Sequence, residues 1–332
     1  MTDTRPASVE VRDLVKRYGD TVALGGVSLS VEPGELFGVI GPDGAGKTTL
    51  FRILVTVILA DSGTATLDGL DVVEDTRAIR QRVGYMPGRF SLYPDLTVRE
   101  NIEFFASVFG TTVEAEYDFI APIYSQIEPF SDRRAGDLSG GMKQKLALSC
   151  ALVHRPRVLI LDEPTTGVDA VSRAEFWDML AELRDGGITT LVSTPYMDEA
   201  ARCDRIALLQ TGTLLRAPGT PEAVAHSFGA PLVRVRADGD RASLLTSLRQ
   251  LEGVARADVF GEWVHVTGTG APDSTSALAT HVQHHLSDRA GARVEVADPS
   301  VEDVFMALMG EEGSGMRSEE TGTRALSAKP QT

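Results

Sequence analysis

Gly41-Pro42-Asp43-Gly44-Ala45-Gly46-Lys47-Thr48 decides how this chain folds. It fits G-x-x-x-x-G-K-[ST], a loop whose amides close around phosphate. Leu36-Phe37-Gly38-Val39-Ile40 precedes it, a continuous apolar run that reads as a strand buried on both faces. A helix from about Lys47 to Leu59 is expected to follow, its positive end meeting the phosphates. Glycine tolerates the backbone angles that turn the amides of Gly44 through Thr49 inward. Lys47 supplies a point charge for the β and γ phosphates of a triphosphate. The Thr48 hydroxyl suits Mg²⁺, a hard ion that takes oxygen ligands.

Val158-Leu159-Ile160-Leu161-Asp162-Glu163 is four apolar residues followed by two carboxylates. At the carboxyl end of a parallel strand such groups face the crevice where these sheets bind ligands. Asp162 is expected to hold Mg²⁺, directly or through water, and Glu163 to act as general base on an attacking water. Further strands are read at Thr189–Ser193 and Ile206–Leu209, with a helix over Ser172–Arg184. Strands alternating with helices predict an α/β fold built on a parallel sheet.

Short alternating strands are read at Val9–Val11, Val22–Leu24 and Val27–Val31, ahead of a Pro33-Gly34 turn. Residues 95–153 place apolar side chains such as Ile102, Phe105 and Val108 at helical spacing, and read as a helical subdomain inserted into the α/β core. Pro, Gly and small residues cluster from Pro218 to Pro231, so the first domain is set at 1–229 and a second at 230–310. The second reads strand (Leu232–Ala237), helix (Arg241–Leu251), two strands (Val254–Phe260, Trp263–Gly268), helix (Thr275–Ser287), strand (Arg293–Val296) and a helix after Pro299. That split βαβ order predicts an α+β ferredoxin-like domain. Residues 311–332 carry almost no apolar side chains and are expected to be disordered.

The 332 residues include 32 Lys+Arg and 47 Asp+Glu, a net charge of −15. That balance argues against a nucleic-acid partner and against docking on anionic lipid by charge. The best apolar run, Ile53–Ala60, carries Thr56 and is far shorter than the roughly 18 residues of a membrane helix. Met1–Arg12 has no apolar signal core, so a cytosolic location is expected. Cys150 and Cys203 read as reduced, buried thiols. His281, His284 and His285 read as surface residues of a helix, and Trp177, spaced with Phe176 and Leu180, as core.

Leu138-Ser139-Gly140-Gly141-Met142-Lys143-Gln144 adds a further motif. Together with Gly41–Thr48, Asp162-Glu163 and Thr166-Gly167-Val168-Asp169, it resembles the ATP-binding-cassette (ABC) transporter ATPase family over residues 9 to about 222. The resemblance implies the P-loop NTPase fold of an ABC cassette, with a mainly parallel sheet core, an antiparallel β subdomain and the inserted helices. It implies ATP and Mg²⁺, and two cassettes facing head to tail, each ATP lying between one phosphate loop and the other subunit's signature. Tyr18 would stack on adenine. Gly41, Pro42, Asp43, Gly44, Ala45, Gly46, Lys47, Thr48 and Thr49 would hold the phosphates, and Ser139, Gly140 and Gly141 would reach the γ-phosphate across the pair. Asp169 would link the two sites. Lys47 and Glu163 would be catalytic, and Thr48 and Asp162 the metal ligands.

Within the family, Val83-Gly84-Tyr85-Met86-Pro87, the stretch Phe90–Val98, Tyr196-Met197-Asp198-Glu199-Ala200 and Pro299–Phe305 resemble drug and antibiotic exporters with separately encoded ABC-2 type permeases. This implies a peripheral place on the inner face of the cell membrane, held through the permease.

Two positions depart from the family pattern. Gly88 stands where the family places a Gln that reaches Mg²⁺ and the attacking water, and Pro195 where it usually places a His that contacts the γ-phosphate. Both departures leave ATP binding intact and remove groups that act during hydrolysis. They predict the degenerate half of an asymmetric cassette pair working with a second ABC ATPase. The alternatives are tolerated variation, with water or other side chains substituting, and pairing of the chain with itself as a homodimer. Two other functions are weighed. A soluble ABC protein of translation or DNA repair fits poorly with one cassette, no long heptad insertion and an acidic composition. A non-hydrolysing, nucleotide-sensing regulatory subunit is favoured by the two departures and opposed by Glu163 and the signature.

Overall fold

The structure, a computed structural model, describes residues 8–88 and 92–309. The chain divides into two compact units, Met1–Pro221 and Glu222–Thr332. Phe90 and Ser91, and the 311–332 segment expected to be disordered, lie outside the described residues.

The first unit opens with a long antiparallel hairpin, β1 (Val9–Tyr18) and β2 (Thr21–Val31), where alternation suggests three short strands. Register shifts beyond Val11, Leu14 and Lys16 break the two-residue period, which is why the pattern underestimates these strands. The buried strand β3 (Leu36–Ile40) leads through the glycine loop into α1 (Lys47–Leu54). The helix stops at Leu54, short of the expected Leu59. Thr56 takes a left-handed φ of 61°, and the Val57 and Ile58 amides both return to the Arg52 carbonyl, at 2.8 and 3.3 Å.

Strands β4 (Ser62–Leu67) and β5 (Leu70–Asp71) then join the hairpin in a sheet of order β2-β1-β4-β5. Sequence alone leaves them unread, because Ser62, Gly63 and Thr64 are exposed and carry no apolar signal. After α2 (Thr76–Arg80), strand β6 (Val83–Met86) enters the edge of the central sheet.

The inserted helices are α3 (Val98–Val108), α4 (Val113–Tyr124) and α5 (Gly140–Leu152), capped by Thr97, Thr112 and Ser139. Thr97 and Glu100 form a reciprocal capping box at the start of α3. The chain returns through β7 (Val158–Asp162), α6 (Ala170–Asp185), β8 (Thr189–Thr194), β9 (Arg205–Gln210), β10 (Thr213–Leu214) and α7 (Pro221–His226). Helix α6 starts two residues before the expected Ser172, because the Asp169 carboxylate accepts from the Val171 and Ser172 amides.

The central sheet has the order β10-β9-β3-β8-β7-β6, parallel except for β10. Phe37, Leu50, Phe51, Ile160 and Leu191 are among the buried residues that pack around it. Trp177, Phe176 and Leu180 are buried on α6, and Cys150 and Cys203 are buried and unpaired. No helix among the described residues is long and apolar enough to cross a membrane.

The second unit continues with β11 (Leu232–Arg236), α8 (Arg241–Arg249), β12 (Val254–Phe260), β13 (Trp263–Gly268), α9 (Thr275–His285) and β14 (Arg293–Val296), and residues 301–309 are helical. Its antiparallel order β12-β13-β11-β14 is that of a split βαβ, ferredoxin-like sheet. Val233, Val235, Leu248, Val264, Val266 and Val282 form its core. His281, His284 and His285 are exposed on α9. The first bonds the Glu252 carbonyl at 3.1 Å, and the last bonds Ser247 Oγ at 2.6 Å.

Candidate nucleotide site

The glycine loop is shaped by close backbone approach. A Cβ on Gly41 would lie 2.1 Å from the Leu209 carbonyl oxygen. Gly46, the N-cap of α1, has φ 106°, and a Cβ there would lie 2.4 Å from the Ala23 oxygen. Gly212 anchors the loop from behind, donating to the Ala45 carbonyl at 2.9 Å and accepting from the Gly25 amide at 2.8 Å. Asp43 and Gly44 are exposed, Ala45 is buried, and Pro42, Thr48 and Thr49 are half-buried.

Lys47 is 3 % exposed and is surrounded by oxygens. Its Nζ donates to the carbonyls of Gly41 (2.7 Å) and Pro42 (3.0 Å) and pairs with Glu163 Oε1 at 2.9 Å. Glu163 adopts a left-handed φ of 49°, a conformation that non-glycine residues keep only when their surroundings hold it. Its amide is held by Ser193, through the carbonyl at 3.1 Å and Oγ at 2.9 Å. Asp162, fully buried at the end of β7, accepts a 2.7 Å hydrogen bond from the same Ser193 hydroxyl.

Strand β8 lies between β3 and β7, so the phosphate loop and the two carboxylates are neighbours but one strand apart. The residues that fill this gap carry no recognisable motif. Besides Ser193 they include Thr194, whose carbonyl accepts the Gly41 amide at 3.3 Å. Buried Glu199 accepts from Thr194 Oγ1 (2.5 Å) and Thr165 Oγ1 (3.1 Å), and Gln144 of α5 donates to the Pro164 carbonyl. The loop after Glu163 is thus gripped from the signature helix and from the segment after β8. A pair of hydroxyls closing an apolar strand, Ser193-Thr194, was the available sequence signal.

The remaining predicted residues sit elsewhere in the first unit. Tyr18 is 48 % exposed at the tip of the β1–β2 hairpin, its ring 5.7 Å from Lys16 Nζ. That hairpin also brings Ala23 against Gly46. Ser139 and Gly140 are exposed at the N-terminus of α5, and Gly141 is buried against Ser172. Asp169 is exposed, and the Ser172 amide holds its carboxyl below the usual range. A Cβ on Gly88 would lie 3.3 Å from the Asp162 carbonyl oxygen and 3.8 Å from Asp162 Oδ2, so position 88 looks onto the Asp162 carboxylate.

Beside this region an apolar cavity of about 350 Å³ opens, with Tyr85, Met86, Phe105, Phe109, Cys150 and His154 among its lining. Burial and the Asp162 charge push the Tyr85 phenol up. His154 stacks on Phe109 at 3.7 Å and bonds the Val83 carbonyl at 3.1 Å, and burial draws its pKa down.

The sequence pattern of the ABC transporter family matches residues 24–166, from β2 through the loop after Glu163. The chain is 37 % identical over 310 residues to the Nod factor export ATP-binding protein I of Burkholderia orbicola, covering 92 % of this chain and 98 % of that one. The chain belongs to the ABC transporter ATPase family. It is therefore an ATP-binding cassette protein and an ATP hydrolase by class. It is also 37 % identical over 316 residues to the probable multidrug ABC transporter ATP-binding protein YbhF of Escherichia coli, but spans only 53 % of that relative.

Among solved structures, the cassette is similar to one described as the ATP binding subunit of an ABC transporter. The TM-score is 0.60 and the identity 28 %, over 66 % of this chain and 92 % of that one. It is also similar to the ATP-binding cassette MJ0796, solved as a dimer in a post-hydrolysis state with ADP and Pi. There the TM-score is 0.58 and the identity 25 %, over 64 % and 98 % of the two chains.

Proposed function

We propose that this chain is the ATP-binding subunit of an exporter whose permease is a separate polypeptide, and that its own site is the slow one of an asymmetric cassette pair. Gly88 carries the reading. It stands beside Asp162 with no side chain to offer, where family resemblance expects a Gln. Pro195, next to the Thr194 carbonyl that meets Gly41, likewise offers neither an imidazole nor an N–H. One positioned transition-state contact is commonly worth about 10²–10³ in rate, so losing two leaves a site that binds and turns over slowly.

The chemistry falls to residues already in place. The triphosphate draws Lys47 from Glu163 onto its β and γ oxygens, and the loop amides and the N-terminus of α1 bind the remaining phosphate charge. Glu163, released, takes the proton of the attacking water. Thr48 and Asp162 offer the hard oxygen donors that suit Mg²⁺, and the bound ion would neutralise phosphate charge. Tyr18 stacks on adenine. Ser139, Gly140 and Gly141 serve the partner's ATP, with Asp169 at the seam.

The export function in the name of the Burkholderia relative supports the direction of transport. We place the permease contact at the apolar cavity, which exposed Val57, Tyr93, Phe104 and Val108 extend onto the surface. Met86 and Pro87 line it two residues or fewer before Gly88, which ties an occupant of the cavity to the hydrolysis site. Residues 230–310 take an accessory part in this proposal, apart from ATP binding.

Purification of the tagged chain from detergent-solubilised membranes tests the assignment. The expected co-purifying subunits are a membrane permease and a second ABC ATPase that has the Gln and His absent here. Recovery without any membrane protein would contradict it.

A further inference from the structure

We propose that Ser193 is a positioning residue, whose one hydroxyl sets both the metal-facing oxygen of Asp162 and the backbone of Glu163. The proposal rests on the roles given above to those two carboxylates. It follows from strand order: because β8 separates β3 from β7, its last residues are the ones that face both. The register pairs Ser193 with Asp162, and Thr194 with Ile40 at the mouth of the phosphate loop. Paired residues of adjacent strands share a face of the sheet, so the Ser193 side chain is bound to meet that of Asp162.

The two hydrogen bonds constrain one another. A hydroxyl has a single proton, and Ser193 gives it to Asp162 Oδ1 at 2.7 Å. Toward the Glu163 amide, 2.9 Å away, it can then only accept. Neither partner can be lost without freeing the rotor for the other. With Oδ1 engaged, Oδ2 is the oxygen left for a cation, on the side of Gly88. With its amide doubly held by Ser193, Glu163 keeps the left-handed φ that turns its carboxylate back to Lys47. Ser193 is fully buried, so water does not stand in for the hydroxyl.

Metal binding separates this role from simple saturation of a buried carboxylate. In the full-length chain, Mn²⁺ is titrated into the ATP complex and followed by electron paramagnetic resonance, while a fluorescent ATP analogue reports nucleotide affinity without metal. Ser193→Ala is expected to weaken Mn²⁺ binding by about 10–100-fold, as loss of a group that orients a metal ligand does. Metal-free nucleotide affinity should not fall, because a loosened Glu163 competes less for Lys47. Ser193→Thr, which keeps the hydroxyl on a strand-favouring side chain, should restore the metal. Asp162→Asn is the reference. Normal Mn²⁺ affinity in Ser193→Ala together with a weakened Asp162→Asn overturns the proposal alone. Normal affinity in both overturns the metal assignment of Asp162 and the proposal with it. Should Ser193→Ala fail to fold, Ser193→Cys, a poor hydrogen-bond donor, takes its place with the same outcomes.

Discussion

Lys47 Nζ lies 2.9 Å from Glu163 Oε1, so the cation proposed for the phosphates and the carboxylate proposed for the attacking water are a single ion pair. ATP must compete with Glu163 for Lys47. Glu163→Gln should therefore tighten ATP binding while it slows turnover. We expect about tenfold, well below the ~4 kcal/mol that two charges 4 Å apart exert at an effective dielectric of about 20, because Glu163 is partly exposed. Equilibrium binding of ATP to the full-length variant checks this. Weaker binding would mean that Glu163 holds the loop together rather than guarding it.

Two glycines should separate folding from function. Gly46→Ala forces a Cβ to within 2.4 Å of the Ala23 oxygen at φ 106°, and should cost at least the roughly 1–3 kcal/mol of such backbone strain. Gly140→Ala makes only ordinary contacts, with Val168 Cγ2 at 3.6 Å and the Gly167 carbonyl oxygen at 3.9 Å, and should melt like the parent. Because Gly140 is exposed at the start of α5, its extra methyl should instead impair ATPase of the assembled pair. Thermal melts and ATPase assays of both variants would distinguish the two effects.

Restoring the two absent groups should speed the site. Gly88→Gln places a Cβ 3.3 Å from the Asp162 carbonyl oxygen, which must yield by a few tenths of an ångström. Pro195→His returns an imidazole beside Thr194. Together they should raise single-turnover hydrolysis in this chain's site by about 10² or more. An unchanged rate would mean that other side chains or water already supply both contacts.

The second unit should show acid sensitivity centred on Asp303. Burial raises the Asp303 pKa. The hydrogen bonds from His265 Nδ1 (2.7 Å) and from the Ser300 hydroxyl and amide (2.6 and 2.9 Å) outweigh that effect and hold it below the usual carboxylate range. A depressed carboxylate stabilises the fold above its unfolded pKa, and that stability is lost as pH falls through the lower, folded value. Asp303→Asn should remove this part of the acid dependence and lower stability at neutral pH. Melting curves against pH in parent and variant decide it.

The candidate site was legible in sequence wherever its residues fall in a contiguous motif. The glycine loop, Asp162-Glu163 and Ser139–Gly141 fall in such runs, and the buried strands around them have unbroken apolar patterns. What stayed hidden depends on register and tertiary approach. The length of β1 and β2 is masked by irregular pairing, and the end of α1 by a left-handed Thr56 that no local rule predicts. Ser193, Glu199 and Gln144 matter only because β8 sits between β3 and β7 and because α5 packs over the loop after β7. None of that is written at fixed spacing along the chain.

Asymmetry is tested most directly by steady-state ATPase of the assembled exporter complex carrying one substitution at a time in this chain. In the proposed pair, Glu163 would serve this chain's own slow site and Ser139 the partner's fast one. Ser139→Ala should therefore lower turnover by about tenfold or more, and Glu163→Gln should lower it far less. A greater loss from Glu163→Gln, or brisk hydrolysis by the purified chain without its partner, would contradict a degenerate site.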